Sequence, residues 1–194
     1  MEADTRPAAP AVPSRRPVVM GGPGDDRGLV ARARGGDTGA CRRLVELHWP
    51  GAWRAALAIT GRAALAEDVA QDAFERAFAA LGRFDETKPF APWLHRIVVN
   101  RALDLVRAER RLVGLDEARA PEAWAPADDD ADRPALEALA SLSPERRAVI
   151  VLRHLLGYSP PEIAEITGLP LGTVNSRLGR ALAQLRMALD GTDG

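Results

Sequence analysis

Residues 159–178 read SPPEIAEITGLPLGTVNSRL, and this stretch decides the fold of the C-terminal part. Ser159 and Glu162 form a capping box that starts a short helix. Gly168 ends this helix, because glycine permits the positive φ of a tight turn. A second helix begins near Pro170. The pattern therefore predicts two helices around a sharp turn.

The residues around this turn have a specific spacing. Ala164 is small enough for the two helices to approach closely, and Val174 packs the second helix onto the first. At 100° per residue, the apolar side chains of the second helix share one arc: Val174, Leu178, Leu182, Leu185 and Leu189. This is the pattern of a helix-turn-helix.

The other face of the second helix carries short polar side chains and arginines. Residues 166–189 contain three arginines and no acidic residue. Arginine can bind guanine through two hydrogen bonds, and Thr, Ser or Asn can reach base edges or phosphates. The candidate DNA-binding residues are Thr173, Asn175, Ser176, Arg177 and Arg180. An ordinary helical hairpin with a solvated face is the alternative, and the acid-free stretch favours DNA binding.

The composition is that of an ordinary soluble protein. The chain has 194 residues, of which 46% are hydrophobic and 27% charged, enough for one or two small domains. No apolar run approaches the roughly 18 residues of a membrane-spanning helix, and no secretory signal occurs. We therefore expect a cytoplasmic protein without membrane insertion.

The sequence carries no motif for catalysis or cofactor binding. Cys41 is the only cysteine, which excludes an internal disulfide and a cysteine-based zinc site. His48, His95 and His154 lie far apart, and we expect them to be partly buried helix residues. Neither a glycine-rich phosphate loop nor a nucleophile motif occurs. We expect no enzyme activity, metal, cofactor or small-molecule substrate.

Charge and proline content divide the chain into segments. Residues 1–24 are rich in Pro, Ala and Gly, which predicts a disordered N-terminal tail. Residues 25–112 follow a helical pattern without strand-like alternation. Residues 113–134 hold seven acidic residues, two arginines and three prolines, which predicts an extended, flexible linker. Residues 135–190 are helical again, so we predict an all-α protein of two small helical domains.

The predicted helix at residues 66–81 has an apolar half and an acidic half. The acidic half holds Asp68, Gln71, Asp72 and Glu75. Such a face would suit a basic protein partner rather than DNA. A simply solvated face is the alternative.

The predicted helix at residues 92–111 carries a narrow polar stripe with apolar residues on both sides. Trp93 stands at the N-terminal end of the stripe. The stripe itself consists of Arg96, Asn100, Asp104, Arg107 and Arg111. Residues 88–111 hold six basic residues and two acidic ones, a net charge of +4.

The loop before this helix places two aromatic residues, Phe84 and Phe90, near basic groups such as Lys88. Aromatic rings beside cations can bind unstacked bases and a phosphate backbone. Core packing is the alternative for Phe84, Phe90 and Trp93.

Two groups of motifs resemble a known family. The first comprises AEDVAQDAF at residues 66–74, Arg83–Phe84 and FAPWLHRIVVN at residues 90–100. The second comprises LSPERR at residues 142–147 and GTVNSRL at residues 172–178. In this order they resemble regions 2 and 4 of an RNA polymerase sigma factor of the extracytoplasmic-function (ECF) group.

The resemblance implies a function in transcription initiation. A sigma factor binds core RNA polymerase, recognises the minus-35 and minus-10 promoter elements and promotes promoter melting. The acidic face of residues 66–81 would bind the beta-prime clamp helices, and the C-terminal domain would meet the beta flap. The acidic linker would run toward the RNA exit channel. An anti-sigma factor is a further expected partner.

The resemblance also implies roles in DNA binding for individual residues. The helix after Gly168 would bind the minus-35 element. The residues implied at the minus-10 element are Phe84, Lys88, Phe90, Trp93, Arg96, Asn100 and Arg107. Phe84 and Asn100 would form a pocket for a flipped base of the non-template strand.

Two other functions fit parts of the sequence. An autonomous helix-turn-helix regulator would need a sensor or dimerisation domain in residues 66–111, where this chain has an acidic face and a basic stripe instead. The other alternative is an interaction protein that binds polymerase without recognising a promoter.

Overall fold

The computed structural model describes residues 26–113 and 138–190. All regular elements in these two segments are helical, in agreement with the predicted all-α fold. The predicted tail at residues 1–24 lies outside the described residues. So does the predicted acidic linker, except for Val113 at the end of a helix.

The first segment is a bundle of four α-helices: α1 (Asp26–Arg34), α2 (Thr38–Thr60), α3 (Ala63–Ala80) and α4 (Phe90–Val113). A short 3-10 turn, Leu81–Arg83, follows α3. Asp37 caps α2, because its side chain accepts a hydrogen bond from the Ala40 backbone N–H. Compared with the ranges predicted from the sequence, α3 begins earlier, and α4 extends further at both ends.

The second segment starts with helical residues 138–140 and continues with α5 (Pro144–Ile150), a π-helical turn (Val151–Leu155), α6 (Pro160–Thr167) and α7 (Leu171–Asp190). The predicted capping box is present at Ser159 and Glu162. Gly168 adopts φ 70° between α6 and α7, in the left-handed region that favours glycine. The turn predicted from the sequence is therefore confirmed.

Helix α4 is shared by the two segments. It packs against α2 and α3 of its own segment and against α5 and α6 of the second segment. Its core residues, Leu94, Val98, Val99 and Ala102, are fully buried. The packing on several sides explains why apolar residues flank both sides of the polar stripe.

A buried arginine joins the segments through the end of α2. The side chain of Arg147 in α5 donates to the Ile59 carbonyl at 2.9 Å, and Arg147 is only 3% exposed. It also donates to the carbonyls of Leu139, Ala140 and Leu142 at 2.9–3.1 Å. The last carbonyls of a helix have no partner within the helix, so α5 completes the C-terminus of α2.

Candidate nucleic-acid interface

The candidate DNA-binding surface of α7 lies on the side of the helix that faces away from the core. Val174 and Leu178 are buried toward the core. The candidate DNA-binding residues turn the other way: Asn175, Ser176 and Arg180 are exposed, and Thr173 and Arg177 are half-buried. The hydroxyl of Ser176 donates to the Thr173 carbonyl at 3.0 Å. Thr173, Ser176 and Arg180 thus lie opposite the buried face, and Asn175 and Arg177 lie on its two flanks.

The polar stripe on α4 has exposed side chains at its N-terminal end and ion-paired side chains nearer its C-terminal end. Arg96 and Asn100 are exposed. Arg107 is also exposed, but its guanidinium contacts the Glu145 carboxylate in α5 through Nε at 3.2 Å and Nη2 at 3.1 Å. Asp104 lies 3.8 Å from the same guanidinium. The rest of the stripe is also exposed, but Asp104 and Arg107 are engaged in these ion pairs.

The aromatic residues at the start of α4 pack against one another. The ring of Phe84 lies 4.7 Å from Trp93 and 6.0 Å from Phe90, measured between centroids. Phe90 is 1% exposed, so its ring has no free face for a base. Phe84 and Phe90 both belong to the buried hydrophobic core, so the structure favours core packing, the alternative left open by the sequence, for both and most fully for Phe90. Phe84 is 7% exposed, and Trp93 is half-buried.

A small open pocket lies beside Phe84. Its empty space is about 220 Å³, including the part open to solvent. Lys88 is exposed at this pocket, where a cation can neutralise a phosphate. Its lining residues come from α1, the loop before α4 and the first residue of α4: Asp26, Arg27, Val30, Phe84, Glu86, Lys88, Pro89 and Phe90.

The acidic face of α3 holds three exposed residues and one, Asp72, that is half-buried and paired with arginines, and within the exposed set Gln71 donates to the Glu75 carboxylate at 3.0 Å. Asp68, Gln71 and Glu75 are exposed. Asp72 accepts a hydrogen bond from Arg76 at 2.9 Å and lies 2.6 Å from Nε of Arg101 in α4. The hydrogen bond from Arg76 and the charges of both arginines lower the pKa of Asp72.

Asp72 therefore differs from its neighbours on α3. Its carboxylate ties α3 to α4 through Arg101, whereas Asp68, Gln71 and Glu75 are exposed. Sequence spacing placed all four on one face without revealing this difference.

Two buried histidines form contacts that sequence reasoning did not identify. His48 Nε2 lies 3.2 Å from Asp26 Oδ1, and both residues are buried. His95 Nδ1 lies 2.7 Å from the hydroxyl of Tyr158, which belongs to the second segment. His154 is exposed, contrary to the expectation of partial burial. Burial of the two others agrees with that expectation and is more complete.

The buried position of His95 predicts a pH-dependent stability. Desolvation, together with the charge of His48, lowers the pKa of His95 to about 3. Between about pH 3 and the ordinary histidine pKa of 6.5, His95 is protonated in the unfolded chain but neutral in the folded one. The free energy of unfolding therefore falls as the pH drops below 6.5. We expect a loss of about 2 kcal/mol between pH 7 and pH 5 from this residue.

Urea unfolding at both pH values measures this loss. The variant His95→Gln removes the titrating ring and serves as the control, so its pH dependence should be weaker by about 2 kcal/mol. Equal pH dependence in the two proteins would contradict the prediction, because the remaining dependence would then come from groups other than His95.

The described residues contain neither a membrane-crossing helix nor a metal cluster. No helix within residues 26–113 and 138–190 is both long and apolar enough to span a membrane. Over the same residues, His, Cys, Asp and Glu do not gather in groups of three that could hold a metal ion.

Comparison with known families and proteins covers most of the chain. Residues 44–112 match the family model of sigma-70 region 2, and residues 132–185 match that of sigma-70 region 4. The ECF RNA polymerase sigma factor SigL of Mycobacterium tuberculosis is 37% identical over 169 residues, covering 82% of this chain and 94% of SigL. The RNA polymerase sigma factor CnrH of Cupriavidus metallidurans is 34% identical over 180 residues, covering 85% of this chain and 94% of CnrH.

Solved structures agree with these sequence matches. CnrH in complex with the cytosolic domain of CnrY has a TM-score of 0.66 and 34% identity, covering 86% of this chain and 97% of that one. The sigma factor RpoE in complex with the anti-sigma factor NepR from Bartonella quintana has a TM-score of 0.65 and 26% identity, covering 77% and 96%.

The all-helical fold, with two helices joined by the tight turn at Gly168 and no acidic residue in α7 before Asp190, defines a DNA-binding protein of the helix-turn-helix class. The matches to regions 2 and 4 are in the order inferred from the sequence motifs. The chain belongs to the ECF group of the sigma-70 family.

Proposed function

We propose that this chain is a promoter-specificity subunit of bacterial RNA polymerase. It binds the core enzyme, recognises the minus-35 and minus-10 elements and favours the melted promoter over the duplex. The observation that carries this proposal is the pairing, in one chain, of a helix-turn-helix whose second helix exposes Asn175, Ser176 and Arg180 with a second exposed polar stripe on α4. An autonomous regulator has no use for the second surface.

Helix α7 reads the minus-35 element in the major groove. Arg177 and Arg180 reach base edges or phosphates, and the shorter side chains of Thr173, Asn175 and Ser176 contact bases or backbone beside them. The acid-free composition matters because a carboxylate on this face would repel the phosphates.

The N-terminal half of the α4 stripe holds the opened minus-10 strand. Arg96 neutralises phosphate, and the amide of Asn100 bonds to a base edge. Phe84 forms an apolar wall for a base taken out of the stack, with Trp93 beside it and Lys88 at the phosphate. Unstacking costs a few kcal/mol per base, and stacking on an aromatic side chain returns about 1–3 kcal/mol.

The exposed part of the α3 face binds the beta-prime clamp helices. Asp68, Gln71 and Glu75 provide carboxylates and an amide for basic partner groups. Asp72 acts through Arg101 to hold α4 in position relative to this face. The second segment meets the beta flap.

The protein supplies binding free energy and no catalytic step of its own, since RNA synthesis belongs to the polymerase. We place it in the cytoplasm, where the promoter and the core enzyme are. Two structural relatives were solved with a protein bound, CnrH with CnrY and RpoE with the anti-sigma factor NepR. We infer an anti-sigma factor for this chain as well.

Run-off transcription tests the proposal. Purified bacterial core polymerase is combined with a fragment library of the source genome, with and without this protein. We expect new, discrete start sites in its presence, and alignment of the upstream DNA should give both promoter elements.

Two other outcomes would contradict the proposal. Comigration with core polymerase without new transcripts would favour an interaction protein that does not recognise promoters. Neither transcripts nor core binding would favour an autonomous regulator that binds DNA through α7 alone.

A further inference from the structure

Helix α1 contacts the loop between α3 and α4 at three points. Arg34 donates through Nη2 to the Gly82 carbonyl at 2.5 Å and through Nη1 to the Glu86 carboxylate at 2.9 Å. Arg27 donates to the Thr87 carbonyl at 3.3 Å. The contacts are spread from the beginning of the loop to its end, so one helix holds the whole loop.

Helix α1 is itself anchored firmly enough to act as a support. Its apolar face, with Leu29, Val30 and Ala33, is buried in the core. The carboxylate of Asp26 is buried against His48 at 3.2 Å. Because Arg27 and Arg34 are two helical turns apart, they project from the same side of this anchored helix.

The loop is also held by hydrogen bonds within itself, in addition to the contacts of Arg27 and Arg34. Asp85 accepts hydrogen bonds from the backbone N–H of Thr87 at 3.0 Å and from its hydroxyl at 2.6 Å. The Lys88 backbone N–H donates to the Asp85 carbonyl at 3.0 Å. Residues 85–88 thus form a compact turn whose orientation depends on what holds it from outside.

The pocket beside Phe84 lies where α1 and this loop meet. Arg27 and Val30 of α1 line it on one side, and Phe84 and Lys88 of the loop line it on the other. A shift of the loop away from α1 would change the width of the pocket and move Lys88 relative to the stripe on α4.

We propose that Arg34 is a positioning residue for capture of the promoter strand, with Arg27 in a supporting role. Arg34 holds the loop against α1 so that Phe84 and Lys88 face the strand held by Arg96 and Asn100. It also neutralises Glu86, whose carboxylate would otherwise repel a phosphate at this pocket. This inference rests on the function proposed above.

Two measurements on Arg34→Ala test this role. Hydrogen exchange of the full chain reports loop order without any promoter, and we expect exchange over residues 82–88 to be about tenfold faster than in the parent protein. In holoenzyme at a promoter from the run-off library, the rate of strand opening, followed by a fluorescent base analogue, should fall about tenfold. Affinities for core polymerase and for duplex minus-35 DNA should stay unchanged.

Arg32→Ala is the matched control. It removes the same charge from the same helix, but Arg32 pairs with Asp37, away from the loop. A further variant, Arg34→Ala with Glu86→Gln, separates charge from geometry. If the lost contact to the Gly82 carbonyl matters, strand opening stays impaired in the double variant.

Three results would overturn the inference. The first is hydrogen exchange of the loop that does not change in Arg34→Ala. The second is strand opening that is as slow in Arg32→Ala as in Arg34→Ala. The third is a full return of the opening rate in the double variant, because charge would then be the sole effect. If the parent protein gave no transcripts at all, the proposed function would fall and the role in strand capture with it. The exchange measurement would still decide whether Arg34 orders the loop.

Discussion

Replacing both Arg177 and Arg180 with alanine is expected to lower promoter-specific transcription about 100-fold, since each arginine contact with a base is worth about 1–3 kcal/mol. Both side chains stand on the accessible side of α7, and the buried residues Val174 and Leu178 hold that side in place. Removing the guanidinium groups leaves this packing intact. Run-off transcription from the promoters selected by the parent protein measures the loss.

The control for this prediction lies on the same helix. Arg186 is exposed nearer the C-terminal end of α7, so Arg186→Ala removes an equal charge outside the predicted contact surface. We expect a small and sequence-independent effect from it, since it acts through the general field of the protein. Unchanged transcription by the double alanine variant would refute our assignment of α7 to the minus-35 element.

Arg147→Met is expected to reduce the free energy of unfolding by about 3 kcal/mol, because it deprives four backbone carbonyls of a charged donor. Methionine retains much of the apolar stem of arginine, so the change is mainly in hydrogen bonding. The carbonyls belong to Ile59 in the first segment and to Leu139, Ala140 and Leu142 in the second. Urea unfolding monitored by circular dichroism measures the difference.

Arg146→Met provides the comparison from the neighbouring position. Arg146 is half-buried and donates to Gln184 at 3.0 Å within the second segment. We expect Arg146→Met to reduce the free energy of unfolding by about 1 kcal/mol, the usual contribution of one hydrogen bond. If the two variants were equally stable, the contacts of Arg147 would not contribute to folding in the way described.

Local features of the fold were predictable because local physical chemistry determines them. The Asp37 cap and the capping box at Ser159 and Glu162 involve atoms within three residues of each other. The turn at Gly168 depends on the positive φ of this one residue, which glycine adopts readily. The wheel of α7 correctly placed Val174 inside and Arg180 outside, since helical periodicity alone sets those directions.

Long-range polar contacts could not be predicted in this way. Arg147 bonds to a carbonyl 88 positions earlier, and His95 bonds to a hydroxyl 63 positions later. Neither pairing leaves a periodic trace in the sequence, because tertiary packing selects the partners. The same limit applies to Asp72, whose pairing with Arg101 depends on how α3 and α4 meet.

The aromatic residues show where a correct pattern was insufficient. Phe84 and Phe90 both sit beside basic groups in the sequence, which suits base stacking and core packing equally well. Both belong to the buried core and both border the pocket, and they differ only in exposure, 7% for Phe84 and 1% for Phe90. One signal in the sequence favours core packing at this place: apolar residues flank the α4 stripe on both sides, which indicates that α4 packs on more than one side.

The contact between Arg147 and the end of α2 has a consequence for how the protein melts. Separating the two segments would leave the Ile59 carbonyl without its guanidinium and would expose apolar surface of α4 to water. Neither segment can loosen without weakening the other, so heat acts on both together. Although its sequence reads as two domains, we expect the two segments to unfold in one cooperative transition, with matching calorimetric and van't Hoff enthalpies.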